Sequence, residues 1–115
     1  MDIFSQEEKV VLLLQRAHSY LSIGLEKLFK HSMEGDDYNF LKVLQHVLNN
    51  LLEKKDILSE EEWIELIYQA ESLARLAVQE IFLERKDADT VNYLGTLEKL
   101  LVEARKEQEF LMMLV

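Results

Sequence analysis

The chain contains no cysteine, no proline and only three glycines in 115 residues. Without cysteine there is no disulfide framework, no thiolate metal site and no cysteine nucleophile. Without proline, and with glycine so scarce, little in the backbone forces a helix to stop, so long helices are expected. Basic residues are also few: 13 Lys and Arg stand against 22 Asp and Glu, a net charge of −9. A surface of that sign repels phosphate, which argues against nucleic acid or an anionic membrane as partner. Long apolar runs are missing as well. The two longest, residues 10–14 and 110–115, fall far short of the ~20 residues needed to span a bilayer. Asp2 follows Met1 with no basic stretch, so no cleaved secretory signal is expected and the default compartment is the cytoplasm.

What the chain does have is apolar content. Hydrophobic residues make up 49% of it, enough to bury a core and too many for a disordered segment. The length suits one domain.

Caps and periodicity divide the chain into four helices. Ser5 and Glu8 have the spacing of a capping box, ahead of an inward stripe of Val10, Leu14, Ala17, Leu21, Gly24 and Leu28. Leu13 and Leu25 widen that stripe, and the helix should end near His31 to Glu34, before Gly35. Asp36 or Asp37 caps the second helix, whose stripe is Phe40, Leu41, Leu44, Val47, Leu48, Leu51 and Leu52. Lys54 and Lys55 stand at its C-terminal end, where cations suit the helix dipole.

The third helix has the strongest start signal. Ser59 and Glu62 form a second capping box, and Leu58 and Trp63 occupy the two positions of a hydrophobic staple. Its stripe is Trp63, Ile67, Ala70, Ala74, Ala77 and Ile81. Asp87 or Asp89 caps the fourth helix, with Val91, Leu94, Leu97, Leu101, Ala104 and Leu111 inward.

These patterns predict helices at about 6–33, 37–55, 60–86 and 89–112. Connections this short force neighbouring helices to run antiparallel. The expected fold is all-α: a single-domain antiparallel four-helix bundle. The small residues of the third helix, with Gly24 on the first, suggest a close approach of those two backbones.

Catalytic chemistry finds little support. No two of His18, His31 and His46 share a helical spacing that would place them on one metal-binding face. The inward Glu-x-x-His pairs of di-iron bundles are missing. Many carboxylates stand at helix starts, as Glu60, Glu61 and Glu62 do, or pair along a helix, as Glu103 does with Lys106. No serine sits in a nucleophile elbow, and there is no glycine-rich phosphate loop. An enzyme is not expected, and neither is a bound metal or cofactor.

More informative are apolar residues that a bundle core does not use. At 100° per residue, Leu12 and Ile23 lie roughly opposite the first helix's stripe. On the third helix Leu76 and Leu83 lie similarly opposite, with Ile64 and Phe82 on the flank. The C-terminal residues 110–115 are apolar all round, and Phe110, Met112 and Met113 join the excess. A helix apolar on two faces wants a second neighbour. These nine residues are therefore the expected binding surface for an amphipathic partner helix or a second copy of the chain. Methionines are apt there because they repack around different partners. The acidic rim favours a partner with basic or neutral flanks.

The segment from Ser5 to Leu14, followed by Ala17 and Tyr20-Leu21, resembles the first helix of the flagellin-specific export chaperones of bacteria, the FliS type. The region of Leu94, Leu97, Leu100, Leu101 and Arg105 is similar to that family's last helix. Gln6 stands where the family has proline, and Gln15-Arg16 where an acidic residue and glycine are common. The resemblance implies a cytoplasmic bundle without catalysis or cofactor. Such a bundle binds the C-terminal helical region of flagellin, shields its apolar surface and delivers it for export. The other expectation from the residues is a stand-alone interaction or regulatory bundle, such as a bacteriocin-immunity-like protein or a homodimeric adaptor.

Overall fold

A computed structural model of the chain describes residues 6–27, 36–84 and 88–114. It contains four helices: α1 (Gln6–Lys27), α2 (Asp36–Glu53), α3 (Glu60–Glu84) and α4 (Ala88–Met113). The expected end of the first helix and its capping serine fall outside the described residues.

The turn between α2 and α3 shows how local signals set the boundaries. The Glu62 backbone N–H donates to Ser59 Oγ at 3.2 Å, and the Ser59 N–H donates to Glu62 Oε1 at 3.3 Å. This is the reciprocal capping box, closed further by a 2.9 Å bond between the two side chains. The staple pair is also in place, with Trp63 buried and Leu58 packed against the core. The Trp63 indole N–H donates to the Leu51 carbonyl at 3.1 Å. That bond satisfies one of the acceptors a helix leaves open in its last turn.

Direction and neighbourhood follow from cross-helix pairs. Trp63, early in α3, meets Leu51, late in α2. Tyr68, Glu71 and Arg75 ascend α3 while their partners Glu109, Arg105 and Glu98 descend α4. Tyr93, early in α4, meets Tyr20, late in α1. Adjacent helices are therefore antiparallel, and α1 closes the ring against α4. Each helix packs on two neighbours, while among the described residues no Cα of α1 comes within 8 Å of one in α3. The long dimension, 45 Å, is a little more than the ~39 Å length of the 26-residue α4 at ~1.5 Å per residue.

The core is the set of stripes read from the sequence. Leu14 and Leu21 of α1, Leu41, Leu44, Leu48 and Leu51 of α2, Ile67 of α3, and Leu94, Leu97 and Leu101 of α4 have no exposed surface. Ala70, Ala74 and Ala77 lie in the same buried cluster. Leucines on the other helices occupy the space that this small-residue stripe leaves, the large-against-small arrangement that packs an interior densely.

One expectation is corrected. Gly24 does not serve a close approach of α1 to α3, because those helices are diagonal in the ring. Its missing side chain admits the Tyr93 ring of α4, which a Cβ at Gly24 would overlap. That ring stacks on Tyr20 with centroids 4.6 Å apart, and its hydroxyl donates to the Tyr20 carbonyl at 2.5 Å. Burial, then the neighbouring Tyr20, pushes the Tyr93 phenol well above its ordinary range. The glycine thus sets the seam between the first and last helices.

Candidate protein-binding surfaces

The apolar excess on α1 and α3 divides into two separate grooves, since those helices are diagonal in the ring. The first runs along the α1/α4 seam. It is lined by Leu12, Arg16, Ser19, Tyr20, Ile23 and Leu100, with a volume of about 410 Å³. The second runs along the α2/α3 seam, lined by Val43, Val47, Tyr68, Ser72, Leu73 and Leu76, at about 430 Å³. In a ring of four helices these two seams lie on opposite sides of the bundle. Large side chains stay exposed in both: Ile23 is 52% exposed, Val43 49% and Leu76 43%. Both grooves are shallow furrows between adjacent helices, the shape that receives a third helix.

The expected surface residues sort unevenly. Leu12 is half-buried and lines the first groove with the exposed Ile23. Leu76 lines the second. Phe110 and Met113 are exposed and Met112 is half-buried, but none lines either groove. The side chains of Phe82 and Leu83 lie outside the described residues. Ile64 is corrected: it is only 7% exposed and belongs to the interior. It lies on the flank of α3 that carries Tyr68, Glu71 and Arg75, all of which pair with α4. The angle from the α3 stripe does not distinguish a flank that faces α4 from one that faces solvent.

Val43, Tyr68, Leu100 and Ile57 were missed. Val43 is 49% exposed and stands one turn before the buried Val47, so the second helix adds an outward aliphatic side chain of its own at the edge of the seam. Ile57 is 81% exposed, and an isoleucine in a polar turn was a readable signal. Ile57, Met113 and Leu114 lie at the same end of the bundle, where the α2–α3 turn meets the end of α4.

The main polar cluster is on the α3/α4 seam. Glu71 is 5% exposed and accepts from Arg105 Nε at 2.6 Å and from Arg75 Nη2 at 3.1 Å. Arg105 also donates to both oxygens of Glu109, at 3.2 and 3.3 Å, and the Tyr68 hydroxyl donates to Glu109 at 2.7 Å. The Tyr68 bond, then the Arg105 guanidinium, holds the Glu109 carboxyl below its ordinary value of 4.5. In this cluster the carboxylates face guanidinium groups and a phenol, an arrangement that fixes helix register. Among the described residues no three histidine or acidic side chains converge on a metal position.

A carboxyl depressed in the folded state stabilises fully above its ordinary pKa, and that contribution is lost as pH falls through the folded value. Unfolding followed by circular dichroism should show stability falling as pH drops below about 4.5. The fall should be shallower in Tyr68→Phe, which removes the principal stabiliser of the charged form.

No helix among the described residues is long and apolar enough to cross a membrane. The fold and these surfaces define a four-helix bundle with two apolar seams. No family model, no curated protein and no solved structure matches the chain.

Proposed function

We propose that the protein is a non-catalytic helical binding protein of the cytoplasm that shields an amphipathic helical client, most concretely as an export chaperone. The observation that carries this reading is the pair of apolar grooves, with aliphatic side chains about half exposed, on a chain of net charge −9. Desolvating such a furrow supplies several kcal/mol, at roughly 25 cal/mol per Å² of apolar surface removed from water. The surrounding acidity selects a client helix with basic or neutral flanks. The first-helix and last-helix resemblance makes the C-terminal helical region of flagellin the client to test first.

Titration of a peptide from that region, read by calorimetry, is expected to give saturable binding. Ile23→Glu and Leu76→Glu place one carboxylate in each groove at half-exposed positions, so both variants should keep the helical spectrum. The substitution in the occupied groove should weaken binding at least about tenfold, the equivalent of ~1.4 kcal/mol. Unchanged affinity in both variants rejects the groove assignment.

The alternative, a stand-alone interaction or regulatory bundle acting as a homodimer, draws on a different surface. Ile57 and Met113 are each 81% exposed and Leu114 63%, at one end of the molecule. Light scattering over a concentration series separates the readings, because self-association through that end survives both groove substitutions.

A further inference from the structure

Among the described residues, one buried polar side chain is explained by neither the core nor the α3/α4 ion cluster. Gln108 is 4% exposed. It continues the inward stripe of α4 between Ala104 and Leu111, where an apolar residue would ordinarily stand. Its carboxamide has two N–H donors and a carbonyl acceptor, and it has no hydrogen-bond partner among the described residues. Leaving such a group buried and unpaired is costly. Gln108 lines a cavity of about 190 Å³ beneath the α2–α3 turn, together with Leu58, Trp63 and Leu111.

The walls restrict what fits. A cavity of about 150 Å³ takes a benzene-sized molecule, so this one has room for a single ring with a small substituent. Leu58, Trp63 and Leu111 supply apolar surface. The Trp63 N–H is already given to the Leu51 carbonyl, so the indole offers only its hydrocarbon faces. The rim carries Lys55 against Asp56 and Glu60, with Glu61 and Glu62 following in the first turn of α3. These carboxylates already complement the helix N-terminus, and Ser59 Oγ already accepts from the Glu62 N–H. An anion is therefore disfavoured.

We propose that this cavity is a binding site for a small neutral molecule, one ring in size, that presents an amide edge to Gln108. The ligand's N–H donates to Gln108 Oε1 and its carbonyl accepts from Gln108 Nε2, while the ring lies among Leu58, Trp63 and Leu111. This site is independent of the two seams and of any client they hold.

Trp63 is the only tryptophan in the chain, so its fluorescence and its indole N–H resonance report this cavity alone. The full chain is titrated with benzamide, and with benzoate and toluene as comparators. Benzamide should give a saturable change, with both comparators weaker by about tenfold or more, one for its charge and the other for its missing polar edge. Gln108→Leu should lower benzamide affinity by a similar factor without lowering that for toluene. Leu111→Phe, which keeps the amide and fills the space, should abolish binding. No saturable response to benzamide means the cavity holds water only and overturns the proposal. Toluene binding as tightly as benzamide, unchanged benzamide affinity in Gln108→Leu, or retained binding in Leu111→Phe overturns it equally.

Discussion

Gly24→Ala is expected to destabilise the protein by about 2 kcal/mol, whereas Gly95→Ala should stabilise it by about 0.5–1 kcal/mol. The two positions are both glycines inside helices, so backbone propensity favours alanine equally at each. They differ in what a methyl group meets. Nothing lies within 4 Å of a Cβ at Gly95. At Gly24 the methyl overlaps the Tyr93 ring, which cannot simply swing away. The ring is 8% exposed, stacked on Tyr20 and bonded to the Tyr20 carbonyl. Moving it gives up that bond and opens the α1/α4 seam. Thermal unfolding of the two variants should shift the midpoint in opposite directions. Adding Tyr93→Leu should turn Gly24→Ala from harmful to neutral or helpful, because the obstacle is gone. A rise in midpoint for Gly24→Ala alone would show that the Tyr93 ring does not occupy the notch.

Arg105→Met is expected to cost about 2–3 kcal/mol, measured by denaturant unfolding. Methionine keeps the apolar stem of the side chain, so the loss isolates the guanidinium. Without it the buried Glu71 carboxylate retains only Arg75, whose side chain is 53% exposed and held at 3.1 Å. Full isolation of a buried charge costs ~3–5 kcal/mol, and the remaining arginine lowers that figure. The double variant Glu71→Leu with Arg105→Met removes both charges and should return to within about 1 kcal/mol of the parent. If the single substitution costs less than about 0.5 kcal/mol, solvent reaches Glu71 and the carboxylate is not held by Arg105.

Both predictions concern contacts between helices distant in sequence, and this is where reading the chain reached its limit. The capping box of Ser59 and Glu62 was legible because its bonds join residues three apart. The inward stripes were legible because helical periodicity alone places Leu14, Leu21, Leu44, Leu48, Leu97 and Leu101 on common faces. Ile64 was misplaced because its burial depends on which side of α3 faces α4, and no period within α3 carries that information. Gln108 is the opposite case: its register on the α4 stripe is readable, but a carboxamide is ordinarily solvated, and only the tertiary structure shows it buried. The candidate surfaces were only half legible: helical angle places Leu12, Ile23 and Leu76 off the inward stripes, but not that they line two grooves facing opposite ways.

By itself, then, the amino-acid order determined four helices, the capping box that starts α3 and the face each helix buries, because those features depend on residues within a turn or two of one another. Tertiary structure alone decided that α1 sits beside α4 and diagonal to α3. It thereby placed Gly24 under Tyr93, drew Glu71 between two arginines, and separated the spare aliphatic side chains onto opposite seams. Adjacency in a ring of helices is set by the joint packing of all four, and no single segment encodes it.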